Sequence, residues 1–505
     1  MIRRPPRSTL DRSSAASDVY KRQLLPLSPI EIHLSVITQS ARLTASVGSF
    51  VIKIFVFLLL LETLNLFISI LHGYLYWSTD MKIEAVNTYV VDAGWRPWQF
   101  TEIITDTGLK GYGEMSDGRN PWGIIGSVED FKPLLLGRDP LNIQSIYWDL
   151  QRMAIQSRGG IALKAIAGIE LALWDIKGKH HGVPVYDLFG GKLRDKQKIY
   201  WSHCGTSRAR NAELLGVDPI NSRQDVINLG KEVKDKGYTS LKTNIIVRPD
   251  SPMSNPPEDT YVFFGGFGGG NGTTDQGLEY TAEGQTFINY ELLDVIEDHI
   301  SALQEGSEGK VTIALDLNFN FKPQAVKKIC KVLENYNIMW VEIDMYEPDG
   351  LREITDSTDL PITSGENLLG ITDYRPYFDK RSMDVAMIDI PWQGFINSKE
   401  VAALAASHQI NIAPHNYYSH LSTMISLNLC ANVPNVRIME IDIDDVPWKD
   451  EMIGGPLNIK NGVVAIPEGP GWGVDIDTEV LNKHLWQKGK GPGFTNSEFA
   501  FDNEK

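Results

Sequence analysis

The chain has 505 residues, enough for two or three domains and a large buried core. Hydrophobic residues at 42% and charged residues at 22% exclude wholesale disorder, and three cysteines (Cys204, Cys330, Cys430) with no C-x-x-C exclude a disulfide framework or a zinc ribbon. With 48 Lys and Arg against 64 Asp and Glu, the net charge of −16 repels phosphate backbones, so no nucleic-acid partner is expected.

Residues 1–80 read as an anomalous tail. They hold eight Lys or Arg and five Asp or Glu, so the negative charge lies downstream. Residues 1–23 have no apolar periodicity and resemble translated cloning-adaptor sequence. An apolar stretch over 50–71 has the length of a membrane span, yet Lys53, Glu62 and Asn65 interrupt it. Translated non-coding sequence, a real membrane anchor and a processed targeting segment are the three readings, and the tail is left out of the fold. From Met81, three strand-like runs (Met81–Val91, Gln99–Asp106, Leu109–Glu114) precede helical patterning at Ser127–Leu136, Ile143–Arg152 and Gly159–Lys179. Residues 81–195 therefore read as a small α+β domain. Over 196–444 the texture changes to short apolar runs alternating with amphipathic helices: KIYWSH, TSLKTNI, VTIALDLN, IMWVEID, LPITSGEN, VAMIDI, INIAPHN and VRIMEI. Eight such runs are what a (β/α)8 barrel, the modified TIM type, requires.

Asp316, Glu342, Glu366, Asp389, His415 and Glu440 stand at the C-terminal ends of six consecutive runs, with gaps of 26, 24, 23, 26 and 25 residues. Each gap is about one strand plus one helix, so a parallel barrel brings all six to the face where barrel enzymes do chemistry. Several carboxylates around one point repel one another unless a cation joins them, and hard oxygen donors favour Mg²⁺.

Together with AIAGIELALWDIKGKHHGVPVYDLFGG (Ala165–Gly191), this ordered series resembles the enolase superfamily, and within it the mandelate racemase/muconate lactonizing enzyme subgroup. The resemblance spans 81–505 and implies that an N-terminal α+β cap, completed by the returning segment 445–505, covers the barrel mouth. It implies Asp316, Glu342 and Glu366 as Mg²⁺ ligands and His415 as general base. Asp389 is then the group that orients His415, and Glu440 the acid that hydrogen-bonds the substrate carboxylate. The subgroup's Lys-x-Lys on the second strand is here Lys242-Thr-Asn244, so Lys242 remains as a cation for enolate charge while Asn244 cannot take a proton and is left as a substrate contact. Asp-x-His on the third strand is here Asp316-Leu-Asn318, which leaves Asn318 to help hold metal or substrate.

The 72 residues from Asn244 to Asp316 exceed every other gap. A helix near Phe287–Gln304 leaves an insertion at about 247–283, open as a substrate-covering loop, an oligomer contact or an inert insertion. Trp95, Arg96, Trp98, Arg119 and Trp122 on two cap loops, with His203 after the first barrel strand, are candidate substrate contacts, and domain packing is the alternative use of the tryptophans. The function expected is a cytoplasmic, homo-oligomeric Mg²⁺-dependent lyase. It dehydrates an aldonic or other acid sugar to a 2-keto-3-deoxy acid through an ene-diolate, with His415 as single general acid/base. Alternatives are an acid-sugar cycloisomerase or epimerase, or a non-catalytic binding protein, and a membrane partner enters only if 50–71 is a true anchor.

Overall fold

The computed structural model describes residues 60, 62–63, 81–263 and 288–487. The chain divides into two units, 1–80 and 81–505. In the first, only Leu60, Glu62 and Thr63 are described, as helix, so the readings of the tail and of 50–71 lie outside the described residues. Among the described residues no helix is long and apolar enough to cross a membrane.

In the second unit, β1 (Ile83–Asp92), β2 (Pro97–Thr105) and β3 (Lys110–Glu114) form an antiparallel meander in that order. Three helices follow, Pro121–Leu135, Ile143–Met153 and Gly160–His181. The first starts six residues before its apolar pattern does, because Pro121 occupies the first turn, where its missing N–H costs nothing. Helix Gly160–His181 is buried on every side from Leu163 to Ile176 and stops at left-handed Gly182. Its acids tie it to its surroundings. Glu170 accepts from Trp174 Nε1 and the N–H groups of Phe395 and Ile396, and Asp175 from those of Tyr112 and Trp472.

That helix packs on β3 through glycine. A methyl group at Gly113 would collide with the carbonyl oxygen of Gly168, backbone against backbone. Gly113→Ala should therefore destabilise the fold by about 2–3 kcal/mol, read as a lowered urea midpoint at unchanged slope.

The remaining strands are β4 (Lys196–Ser202), β5 (Ser240–Thr243), β6 (Ile245–Val247), β7 (Tyr261–Phe263), β8 (Thr312–Asp316), β9 (Ile338–Glu342), β10 (Ile362–Ser364), β11 (Val385–Asp389), β12 (Asn411–His415), β13 (Met439–Asp442), β14 (Ile459–Lys460) and β15 (Val463–Ala465). A curled parallel sheet runs β13-β4-β5-β8-β9-β10-β11-β12. Beyond its last strand, Ile412 on β12 bridges in parallel to Val436, just ahead of β13. Inside the curl lies a separate apolar cluster of Tyr200, Ala314, Met339, Trp340, Val385, Met387, Ala413 and Ile438. The end of the chain returns to the meander: Trp486 N–H donates to Val90 O, and Trp472 Nε1 to Tyr112 O.

The insertion opens with an antiparallel hairpin of β6 and β7, and its part from 264 to 283 lies outside the described residues. The helix placed near 287–304 is Tyr290–Gly306. It buries His299, whose Nε2 lies 3.1 Å from Thr243 Oγ1. Burial first, and then the Arg248 charge, push this imidazole down to about 3 from 6.5. The unfolded chain thus binds a proton below about pH 6.5 that the folded chain refuses until about pH 3. Stability should fall across that window as pH drops, by up to about 1.4 kcal/mol per unit. His299→Gln should flatten that limb in urea melts taken from neutral to acid pH.

Candidate active site

Register brings the chemistry together. Asp316 and Glu342 are neighbours across β8 and β9, and Asp389 and His415 across β11 and β12. His415 Nδ1 lies 2.7 Å from Asp389 Oδ2, which also accepts from Tyr418 Oη at 2.6 Å, while Asp389 Oδ1 accepts from the Trp392 N–H. His415 Nε2 faces Glu366 Oε2 at 3.1 Å and Glu440 Oε2 at 3.9 Å. Lys242 Nζ lies 2.9 Å from Glu342, 2.8 Å from Glu440 and 3.5 Å from Asp316. All six residues of the even series, with Lys242, thus meet at one end of the curled sheet.

The electrostatics follow from crowding acids away from water. Burial, then repulsion from Asp316, Glu440 and Glu366 against the pull of Lys242, hold Glu342 up at about 8. Glu366 is raised to about 8 by burial and by Asp344 and Asp316, against the pull of His415. Asp344 reaches about 7, through burial and then Glu342 and Asp316. Burial disfavours the imidazolium of His415, yet Glu366, Glu440 and the Asp389 hydrogen bond outweigh it and lift the ring to about 10. Burial opposes ionisation of Glu440, but Lys242, His415 and His203 outweigh it and hold the acid down.

Among the described residues no three Asp, Glu, His or Cys side chains form a ready-made metal cage, because Glu342 turns to Lys242 and Glu366 to His415. The donor chemistry nonetheless fits a hard divalent ion. The candidates are all carboxylates, Asp316 and Glu342 buried and Glu366 largely so, and with Asp344 they outnumber Lys242 and His415, so added positive charge relieves their repulsion.

Above these groups opens a cavity of about 400 Å³. Asp316, Glu366, His415, Asn318, His203 and Arg119 line it. Asn318 and His203 both take left-handed backbone conformations (φ 49° and 45°), sparsely populated for such residues and common where side chains are aimed at a site. His203 Nδ1 lies 2.8 Å from Asp442 Oδ1. Trp95 borders a narrow side pocket that shares His203 and Tyr417 with the main cavity.

Four expected substrate contacts stand elsewhere, the first of them Trp122, exposed in the first turn of helix Pro121–Leu135. Arg96 is buried against Asp442, Asp445 and the Tyr417 carbonyl, at 3.2, 3.0 and 2.8 Å, so it ties the cap loop to the end of β13. Trp98 is fully buried and packs edge-on against Trp448. Asn244 lies beneath the floor, where its Nδ2 donates to the Asp316 carbonyl and its Oδ1 accepts from Thr206. Lining residues that sequence reasoning passed over are Asp117, Lys164, Asp344, Trp392, Tyr417 and the stacked pair Phe319–Tyr346. Asp344 lies two residues past Glu342 and was open to the same strand-end argument.

A curled parallel sheet with acids gathered at the carboxyl ends of its strands, preceded by an antiparallel α+β segment, is an α/β arrangement of the enolase type. The family profile described as enolase C-terminal domain-like matches residues 226–480, and that of the mandelate racemase/muconate lactonizing enzyme N-terminal domain matches 86–190. The chain belongs to this family. It is 29% identical to a D-xylonate dehydratase of Haloferax volcanii, over 80% of this chain and 89% of the relative. To a D-gluconate dehydratase of Thermoproteus tenax it is 27% identical, over 81% and 74%. A candidate L-alanine-DL-glutamate epimerase of Burkholderia xenovorans, solved with magnesium and fumarate, shares 34% identity at a TM-score of 0.75, covering 82% of this chain and 98% of its own.

Proposed function

We propose that the chain is a Mg²⁺-dependent dehydratase of an acid sugar, yielding a 2-keto-3-deoxy acid. The observation that carries this reading is the Asp389–His415 pair, whose Nε2 points at Glu366 beside a cavity floored by carboxylates. The eight parallel strands are read as a (β/α)8 barrel closed between β12 and β13. Residues 81–195 and 445–505 form its cap, and 196–444 the barrel. Asp316, Glu342 and Glu366 would hold the ion. Bound there, Mg²⁺ would supply positive charge that offsets these carboxylates, favours the neutral form of His415 and polarises the substrate carboxylate.

The chain's own groups do the rest. Asp389 fixes the tautomer by accepting from Nδ1, leaving Nε2 to take the proton α to the carboxylate. Lys242 sets a fixed positive charge beneath the enolate, and Glu440, fully buried, holds that ammonium in place at 2.8 Å. The His415 imidazolium returns its proton to the departing 3-hydroxyl, so one residue serves both steps of a syn elimination. Asn318, His203, Arg119 and Trp95 bound the space for the sugar chain. A cytoplasmic homo-oligomer with a small-molecule substrate completes the proposal.

The test is the purified protein with Mg²⁺ against a panel of aldonic and aldaric acids, reading 2-keto-3-deoxy product. Turnover of at least one supports the reading, and turnover of none overturns it. The 34% likeness to a candidate epimerase favours one second reading, proton exchange without loss of water. Exchange of both C2 epimers in D₂O would establish it, because it needs a second base that Asn244 cannot supply.

A further inference from the structure

The cavity roof carries an ammonium group that none of the roles above employs. Lys164 lies one turn into helix Gly160–His181 and is buried at 8% exposure. Its Nζ donates to Asp117 Oδ2 at 2.5 Å and sits 3.4 Å from the centroid of the Trp392 ring. Neither neighbour is free to drift. Asp117 accepts from the N–H groups of Arg119 and Asn120 through Oδ1, and Trp392 Nε1 donates to the Ser116 carbonyl at 2.6 Å. An ammonium has three N–H donors. Asp117 takes one and the indole face a second, which leaves the third for the cavity that Lys164 lines.

The same indole packs against the His415 ring, with centroids 5.8 Å apart, so Lys164 and the base border one stretch of wall. Lys242, near the floor, offers its charge but no spare N–H. It has three carboxylates for its three donors, Glu342, Glu440 and Asp316.

We propose that Lys164 is a catalytic residue of the elimination: its third N–H donates to the oxygen of the departing 3-hydroxyl and stabilises the charge that grows there as the C3–O bond breaks. The inference rests on the dehydratase reading. His415 removes the C2 proton, and the electron pair held in the ene-diolate forms the C2–C3 double bond. The hydroxyl leaves as water with the proton returned by the imidazolium, and Lys164 stays protonated throughout. Without this donor the ene-diolate still forms, but it reverts to substrate more often than it loses water.

The experiment uses the full chain with Mg²⁺ and an acid sugar that the wild type dehydrates, in D₂O. Proton NMR reads α-hydrogen exchange and dehydration in the same tube. Lys164→Met should lower dehydration about 100-fold or more while exchange persists, raising the exchange-to-dehydration ratio by a similar factor. Lys164→Gln, similar in length and keeping a neutral donor, should shift the ratio in the same direction by less, and it serves if the Met variant does not fold. Equal loss of exchange and dehydration in a folded variant overturns the inference, as does a raised KM at unchanged kcat. A wild type that dehydrates no acid sugar is the separate failure, that of the dehydratase reading itself.

Discussion

His415→Asn should abolish both α-hydrogen exchange and dehydration, with kcat at least about 1000-fold down. Asparagine fills much of the space and can still meet Asp389, so the loss reports proton transfer rather than a cavity. Both activities fall together because a single group is assigned both the abstraction and the return of the proton. Asp389→Asn should be milder. It leaves the ring in place but replaces a carboxylate that accepts from Nδ1, Tyr418 Oη and the Trp392 N–H, so tautomer and basicity suffer while position is partly kept. Rates for both variants, with thermal unfolding as the check on folding, decide the matter. Exchange that persists in His415→Asn points to a second base, and equal losses in the two variants make Asp389 more than an orienting group.

Much of this was legible because parallel strands obey a simple rule. Groups at the carboxyl end of each strand share a face, so the even spacing from Asp316 to Glu440 sufficed to predict that they meet. The meander and the buried helix followed from strand-like runs and from helical patterning over Gly159–Lys179. Contacts closed by chain folding were not legible. Arg96 sits in a loop that reads as substrate-facing, yet its partners Asp442 and Asp445 lie some 350 residues on, and no local pattern announces them. Lys164 was hidden for the opposite reason. Within a helix buried on every side it reads as a lysine at a helix edge, and only the fold brings Asp117 and Trp392 to hold it at the cavity. The hairpin at the start of the insertion carried no sequence signal, because β6 follows β5 almost without a break and its partner β7 is only three residues long.

Glu342→Gln separates a metal ligand from a structural ion-pair partner. Glu342 Oε1 accepts from Lys242 at 2.9 Å and Oε2 from Trp340 Nε1 at 3.1 Å, while Asp316, Glu440 and Glu366 press on it with like charge. Were it chiefly the counter-ion of Lys242, its loss should cost about 3–5 kcal/mol, as breaking a buried pair does. Lys242 keeps Glu440 and Asp316, however, and the amide removes one charge from a crowded group. The metal-free variant should therefore melt at or above the wild-type temperature. Its Mg²⁺ affinity should fall at least about 10-fold, since a neutral amide is a poorer donor to a hard divalent ion. The wild type should gain thermal stability with added Mg²⁺ by mass action, and the variant should gain it only at higher concentration. Turnover should drop about 1000-fold. A variant that binds Mg²⁺ and turns over as the wild type does removes Glu342 from the ligand set, and one that loses stability without metal assigns it to Lys242 instead.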